Sequence, residues 1–160
     1  MANRYFSRYL STDGTTSGTK DMSTTADEYY IVDTTQSLDI YRMIVTYQDG
    51  TGGNVSEYAN LNAALTTGIE VKVIRRDGST VLQDLTDGLP VKTNGDWARL
   101  CYDAQLISWG GGDDYFCVRW TFTRGGSPIR LEPGQSLRMI INDDLTNVTN
   151  HWALVQGQTV

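Results

Sequence analysis

The stretch YFCVRWTFTRGGSPIRLEPGQSLRMII, from Tyr115 to Ile141, decides the fold class of this sequence. Apolar and polar side chains alternate along its first part, which places the two sets on opposite faces of a β-strand. Glycines and a proline break the run at 125–128, and a short strand is predicted at 129–131 before alternation resumes at 137. Pro133-Gly134 between them predicts a tight turn, because proline presets φ and glycine accepts a positive φ. The predicted core set is Phe116, Val118, Trp120, Phe122, Leu131, Leu137, Met139 and Ile141.

Strand-like segments recur along the rest of the chain. Strands are predicted at 28–33, 38–47, 68–76, 80–85, 97–108 and about 152–156. Turn signals separate them about every 8–12 residues, and Asp77-Gly78 is a strong hairpin signal. One or two helical turns are predicted within 55–65 from apolar side chains at helical spacing. We therefore predict an all-β chain, an antiparallel β-sandwich with a jelly roll as the favoured topology, an extended N-terminal arm and at most one short helix.

The strand at 38–47 has apolar side chains on both faces, which predicts that it is central or covered twice. Simple alternation places Tyr41 on the same face as Met43, Val45 and Tyr47. Two cysteines, Cys101 and Cys117, are predicted to be free thiols. If 97–107 and 115–123 form a hairpin, Cys101 lies opposite a residue near position 122 and Cys117 opposite a residue near position 106. The two sulfur atoms are then too far apart for a disulfide.

Composition bounds the possible partners. The chain has 160 residues, which is most simply one domain. Nineteen acidic against thirteen basic residues give a net charge of −6, so the basic footprint of a nucleic-acid-binding protein is missing. No window approaches about 18 consecutive apolar residues, and the N-terminus lacks the apolar core of a signal peptide. We therefore predict no nucleic-acid partner and no membrane partner.

Residue types for catalysis are sparse. The single histidine, His151, stands beside Trp152 near the C-terminus, and there is no G-x-S-x-G motif, so a structural hydrogen-bonding role is favoured for it. One histidine and two separated cysteines do not make a zinc site. The acidic pairs at 113–114 and 143–144 do not follow an EF-hand pattern, although calcium in such loops stays open. No catalytic, metal or cofactor site is predicted; paired carboxylates from distant strands stay open as an alternative.

Residues 1–27 differ from the predicted body at 28–160. The first ten residues contain Arg4, Tyr5, Phe6, Arg8 and Tyr9, and arginine and aromatic residues are enriched at interface anchors. The following Thr, Ser and Gly residues do not provide enough apolar surface to fold alone. Two interpretations remain, a floppy terminus and an extended arm that reaches a neighbour. The arm is favoured, so these five side chains are candidate partner contacts.

Trp109 is a second candidate contact. It precedes three glycines at the mouth of a predicted loop, where an exposed aromatic ring could stack on a sugar or on a partner protein. The alternative is packing at the edge of the core, with the indole N–H satisfied at the rim.

Three segments carry a resemblance to a known class of proteins. TTGIEVKVIRRDGSTVLQDLTDGLPVKTNGDWARLCYD, VRWTFTRGGSPIRLEPGQSLRMIINDDL and the closing HWALVQG resemble tailed-bacteriophage virion proteins, and more narrowly the small jelly-roll cement or decoration proteins of phage heads. The resemblance implies a structural protein without enzymatic activity, made in the host cytoplasm and placed on the exterior of the capsid. It also implies binding to the major capsid protein, whose neighbouring subunits it would bridge as a homotrimer.

Two other functions stay open from the residues. One is a carbohydrate- or receptor-binding β-sandwich module of a phage tail or fibre, for which Trp109 and the acid-rich loops are the motive. The other is an enzyme of the glycosidase or esterase type, which would need a cleft with convergent carboxylates or with His151.

Overall fold

The structure is a computed structural model that describes residues 4–12, 14, 28–49, 54–108 and 114–160. Ten strands, one α-helix and two short 3₁₀-helices lie within these ranges. The strands are β1 (Tyr5–Tyr9), β2 (Glu28–Val32), β3 (Leu38–Gln48), β4 (Ile69–Ile74), β5 (Val81–Asp84), β6 (Ala104–Ser108), β7 (Asp114–Thr121), β8 (Ile129–Leu131), β9 (Ser136–Ile141) and β10 (His151–Thr159). The helix α1 spans Asn94–Cys101, and the 3₁₀-helices span Ala59–Leu61 and Phe122–Gly125.

The strands form two antiparallel sheets. The first sheet has the order β1-β10-β3-β7-β6, and β8 also pairs with β3. The second sheet has the order β2-β9-β4-β5. One hydrophobic core takes side chains from both sheets, so the predicted all-β sandwich is confirmed.

The opening stretch behaves as its alternation predicts. Seven of the eight side chains in the predicted core set are buried, and Trp120 is half-buried and packs against the core. The turn at Pro133-Gly134 is also present: Gly134 has a φ of 85°, and the amide of Gln135 donates to the carbonyl of Glu132. These features follow from local geometry, since proline and glycine each supply the φ that the turn needs.

Strand β3 departs from simple alternation. Leu38 and Ile40 are buried, and burial then continues at Met43, so the inward parity changes between them. The register with β10 shifts at the same place, as expected of a β-bulge. The prediction that Tyr41 shares a face with Met43 is therefore wrong. The bulge turns the tyrosine to the outer face of the first sheet.

The predicted strand at 97–108 is correct only in its second half. Residues 94–101 form α1, and β6 begins at Ala104. Thr93 caps the helix: its hydroxyl accepts from the amide of Asp96, whose carboxylate accepts from the Thr93 amide in return. Trp97 and Cys101, one helical turn apart, both face the core. Of the one or two helical turns predicted within 55–65, the structure has only the short 3₁₀-helix at Ala59–Leu61.

The hairpin of β6 with β7 places Cys117 opposite Gln105, one residue from the predicted partner position. Cys101 lies on α1, so the prediction that it pairs near position 122 is wrong. Both cysteines are free thiols, and burial raises the pKa of Cys101.

The first described residues belong to the sandwich. β1 pairs with β10, Leu10 is fully buried, and Ser11 bridges to Tyr30 in the second sheet. The carbonyl of Gly14 accepts from the amide of Val32, which extends this crossing from one sheet to the other. Residues 4–12, expected in an arm that reaches a neighbour, are therefore part of the body. Burial of Phe6 and Leu10 holds them there, and residues 15–27 of the expected arm lie outside the described residues.

Candidate interaction surface

Strand β1 forms one end of the first sheet, and no other described strand pairs with its outer edge. The amide of Leu10 donates to the carbonyl of Ala153, and the amide of Thr159 donates to the carbonyl of Arg4, each at 2.9 Å. In an antiparallel pair these bonds recur at every second residue, so the even-numbered residues bond to β10. The amides and carbonyls of Tyr5, Ser7 and Tyr9 consequently point away from β10. No described residue pairs with them, and we call this row the β1 edge.

The side chains of β1 divide between two faces. Tyr5 is 81% exposed, and its ring centroid lies 6.5 Å from that of Tyr41. The ring of Tyr9 meets Trp152 edge-on, with centroids 5.5 Å apart. These four rings form the aromatic face, which lies on the outer side of the first sheet. Aromatic side chains bury a large area at low entropic cost when a partner covers them.

Phe6 is an anchor for β1. Its ring packs against the core and over Gly157, where an added Cβ would lie 3.0 Å from the ring and 2.2 Å from the carbonyl oxygen of Asp39. The guanidinium of Arg8 lies 5.0 Å from the centre of the same ring, as in a cation–π pair. Of the five predicted contact residues, Phe6 thus serves packing, while the others face solvent fully or in part.

Grooves flank β1 on both faces. The arginine groove, of about 390 Å³, is lined mainly by Arg4, Phe6, Arg8, Asp33 and Gln36. The tyrosine groove, of about 490 Å³, lies on the aromatic face and is lined mainly by Tyr5, Ser7, Tyr41, Arg42 and Gln156. The arginine groove lies beside β1 near the turn of Asp33, and the tyrosine groove crosses β1, β10 and β3 on the outer face of the sheet, so β1 has a depression on each face.

Three arginines around β1 have no ion-pair partner among the described residues. Ion pairs of the described residues join Glu70 with Lys72, Asp96 with Arg99, Asp103 with Arg119, Asp39 with Arg130, and Glu28 with Arg138. Arg4, Arg8 and Arg42 belong to none of these pairs. The surroundings of β1 are therefore basic on a chain whose net charge is −6.

Asp33 lines the arginine groove, and its carboxylate stabilises the turn that follows β2. Its carboxylate accepts from the amides of Thr35 and Gln36 at 2.8 and 3.0 Å. Partial burial alone would raise the pKa of Asp33, but these hydrogen bonds and the nearby charge of Arg8 lower it overall. The carboxylate is thus ionised and engaged, and leaves much of the arginine charge uncompensated.

The outer face of the second sheet differs from the aromatic face. Arg138 pairs with Glu28 and lies over the ring of Tyr30, while Lys72 pairs with Glu70 at 2.6 Å. Paired charges of this kind solvate a sheet face and offer little unsatisfied surface. Around β1, by contrast, the described residues include three arginines outside any ion pair and the exposed ring of Tyr5.

His151 lies in the core rather than in a cleft. It is fully buried, its ring stacks on that of Tyr47 at 5.5 Å, and its Nε2 lies 2.6 Å from the hydroxyl of Tyr58. The indole N–H of Trp97 donates to the same hydroxyl at 3.3 Å. This cluster ties α1 and β10 to the loop at 58, which is the structural role that the sequence favoured for His151.

Asn94 joins this cluster to a buried carboxylate. Its side-chain oxygen accepts from the hydroxyl of Tyr47 at 3.0 Å, and its NH₂ donates to Asp49 at 2.5 Å. Asp49 is only 4% exposed. Desolvation raises its pKa to about 6, with smaller contributions in the same direction from Asp114 and Glu57 and an opposing one from the Asn94 hydrogen bond.

The remaining candidates from the sequence are Trp109 and the acidic pair at 143–144. Trp109 lies outside the described residues. In the acidic pair at 143–144, Asp143 has a structural role, because its carboxylate accepts from the amides of Thr66 and Gly68 at 2.7 and 2.5 Å. Within the described ranges, no three potential ligands of the His, Cys, Asp or Glu type come together as a metal site.

Four surface residues were missed by the sequence analysis, namely Tyr41, Arg42, Trp152 and Gln156. They lie on β3 and β10, and only the pairing of these strands with β1 brings them to the N-terminal segment. Alternation could have placed Arg42, Trp152 and Gln156 on an outer face, whereas Tyr41 reaches it only through the bulge. Nothing in the alternation identifies the neighbouring strand.

Comparison of this chain with protein-family models, curated proteins and solved structures finds no match. In the part of the chain that the structure describes, no helix has the length and apolar character needed to cross a membrane.

Proposed function

We propose that this chain is a structural virion protein that decorates and stabilises a phage capsid by bridging neighbouring major capsid protein subunits. The observation that carries a binding role is the surface around β1, where an exposed tyrosine occurs together with a strand edge and arginines that have no strand or ion-pair partner among the described residues. The capsid as the partner comes from the resemblance of the quoted segments to decoration proteins. A rigid sandwich with a strand edge suited to binding fits a protein that holds other subunits together and does not catalyse a reaction.

The strand order supports the jelly-roll part of this proposal. The first strand pairs with the last, and the second pairs with the next to last. β3 and β4 then extend the two sheets on the other side of these pairs. Such nested pairing between two sheets is what two Greek keys produce in a jelly roll. We also propose a homotrimer on the capsid exterior, because several weak contacts made together raise the effective affinity.

The test is binding to capsid shells of the source phage that lack this protein. Purified protein should cosediment with the shells, and cryo-EM should show it at a defined position between capsid subunits. Tyr5→Ser should weaken binding, because it removes the most exposed ring of the aromatic face. Tyr102→Ser is the matched control, since Tyr102 is 83% exposed and lies just after α1. Absence of the wild-type protein from the shell would refute the proposal.

A second candidate is a carbohydrate-binding module of a tail or fibre. The tyrosine groove favours it, because the exposed ring of Tyr5 and the half-buried ring of Tyr41 lie beside the polar side chains of Arg42 and Gln156. Aromatic faces stack on sugar rings, while amide and guanidinium groups bind their hydroxyls. A glycan array with wild-type protein and Tyr41→Ala tests it. Binding that the substitution removes would favour this function over the capsid role.

A further inference from the structure

We propose that the partner binds by adding an acidic, extended segment as a new strand along the β1 edge, with its carboxylates held by Arg4 and Arg8. This inference rests on the proposed function and specifies the chemistry of the partner at the same surface. The occupant is a segment of another protein, and a second copy of this chain is the competing outcome.

The backbone of β1 is prepared for strand addition. Tyr5, Ser7 and Tyr9 each point one amide and one carbonyl away from β10, in the alternating pattern that a further antiparallel strand requires. The register of β1 with β10 continues without a shift, so no bulge twists the edge away. No proline or lysine interrupts it. Bulges, prolines and lysines are three of the usual devices that prevent edge pairing, and β1 contains none of these three.

Arg4 and Arg8 set the chemistry of the added strand. They lie on the same side of the chain, four residues apart, which is about 13 Å along a strand. Both line the arginine groove, with Phe6 between them. A strand laid beside β1 would place every second side chain over this row. The matching pattern is acid, any residue, apolar residue, any residue, acid.

Charge argues against a second copy in this position. Antiparallel pairing of two β1 edges around Ser7 would place the Arg8 side chains of both copies on one face as diagonal neighbours, within reach of each other's charge. The chain also carries a net charge of −6, which adds repulsion between copies at longer range. An acidic segment relieves the local positive charge instead, so it is favoured over self-pairing.

The first experiment is an NMR titration of the ¹⁵N-labelled protein with the peptide acetyl-Thr-Glu-Thr-Val-Thr-Glu-Thr-amide. We expect shifts at 4–10 and slower hydrogen exchange of the amides of Tyr5, Ser7 and Tyr9, because these amides gain partners. The same peptide with lysine in place of glutamate should not bind. The same peptide N-methylated at alternate residues keeps its glutamates but cannot form the backbone hydrogen bonds of an added strand. Equal binding by that peptide would overturn strand addition.

Two variants test the arginines. Arg4→Gln with Arg8→Gln should weaken binding of the acidic peptide about tenfold, as expected for the loss of two partly screened ion pairs. Arg75→Gln with Arg76→Gln is the matched control, since it removes the same charge from exposed residues after β4. Equal loss in both double variants would mean a general charge effect and would overturn the assignment to the β1 edge.

A backbone variant tests the edge itself. Ser7→Pro removes one outward amide but no bond to β10, so thermal unfolding should change little while peptide binding is lost. Undiminished binding by this variant would contradict the proposal. If it does not fold, the N-methylated peptide decides the same point on the wild-type protein.

Two further measurements separate this inference from its alternatives. Sedimentation velocity of the wild-type protein alone should show no dimer formed through the β1 edge. A dimer that the Ser7→Pro variant no longer forms would assign the edge to a second copy and overturn the proposal. Capsid shells should bind the wild type better than the Arg4→Gln, Arg8→Gln variant. Equal binding of both would refute the acidic-segment inference and leave the capsid role standing. Failure of the wild type to bind shells would refute the capsid role, with the peptide titration still deciding the chemistry of the edge.

Discussion

Asp49 offers a stability change whose sign depends on pH. Its folded-state pKa of about 6 lies above the ordinary value of about 3.9. Between these two pH values the folded protein holds a proton that the unfolded chain has released. The favourable contribution of the protonated carboxyl is therefore complete below about pH 4 and is lost as the pH rises through about 6. Above that pH the buried charge destabilises the fold.

The size of this effect follows from the shift. Two pKa units correspond to about 3 kcal/mol at full effect, and solvent screening at the rim of the sandwich reduces this to about 1–2 kcal/mol. Asp49→Asn removes the charge and keeps an oxygen that accepts from Asn94. We therefore expect the variant to be more stable than the wild type by about 1–2 kcal/mol at pH 8 and nearly equal at pH 4.

The assay is urea unfolding of wild type and variant at pH 4 and pH 8, at constant ionic strength. Asp77→Asn is a control of opposite sign, because hydrogen bonds from Thr80 and Ser79 lower the pKa of Asp77 to about 2. Its carboxylate stabilises the fold above about pH 4, and that stability is lost as the pH falls through about 2, so the control variant should lose stability at pH 8. An equal stability change for Asp49→Asn at both pH values would refute the reasoning.

The remaining predictions concern the core and the elements that hold β1 and α1. Tyr58→Phe should cost about 2–4 kcal/mol in urea unfolding, because it removes the buried hydroxyl beside His151. Gly157→Ala should lower the melting temperature, because the added Cβ would collide with the carbonyl oxygen of Asp39. Thr93→Ala should cost about 1 kcal/mol through loss of the helix cap.

Each of these three predictions can be contradicted by a specific result. An unchanged midpoint for Tyr58→Phe would mean that the hydroxyl carries no net stabilisation. Full stability of the Gly157 variant would show that β10 relaxes without cost at its bulge. Thr93→Ala should be compared with Thr93→Ser, which retains the capping oxygen. Equal losses in both would contradict a capping role.

Local patterns predicted much of the fold. The alternation at Phe116 and Val118, the turn at Pro133-Gly134 and the hairpin signal at Asp77-Gly78 all appear as strands and turns in the structure. Each depends only on residues within a few positions of one another, because strand geometry and turn dihedrals are local properties. This is why the fold class was readable from one chain.

Helix α1 shows where local patterns were ambiguous. The segment from Trp97 to Ser108 is a mostly apolar run, which a buried strand and a buried helix share. The deciding signal was Thr93 with Asp96 three residues later, a capping pair in which aspartate stands where glutamate is usual. The bulge in β3 was harder to predict from the sequence, because the extra residue of a bulge does not change the types of residue in the strand.

The candidate surface divides in the same way. The sequence by itself determined that Arg4, Tyr5, Phe6, Arg8 and Tyr9 form a basic and aromatic segment suited to contacts, and that the chain is a β-sandwich. Only the tertiary structure decided that this segment is a strand of the body, that its partner is β10 at the far end of the chain, and that no other described strand pairs with its outer edge. The physical reason is that alternation records which face a side chain takes, whereas the choice of a neighbouring strand depends on packing between residues far apart in sequence.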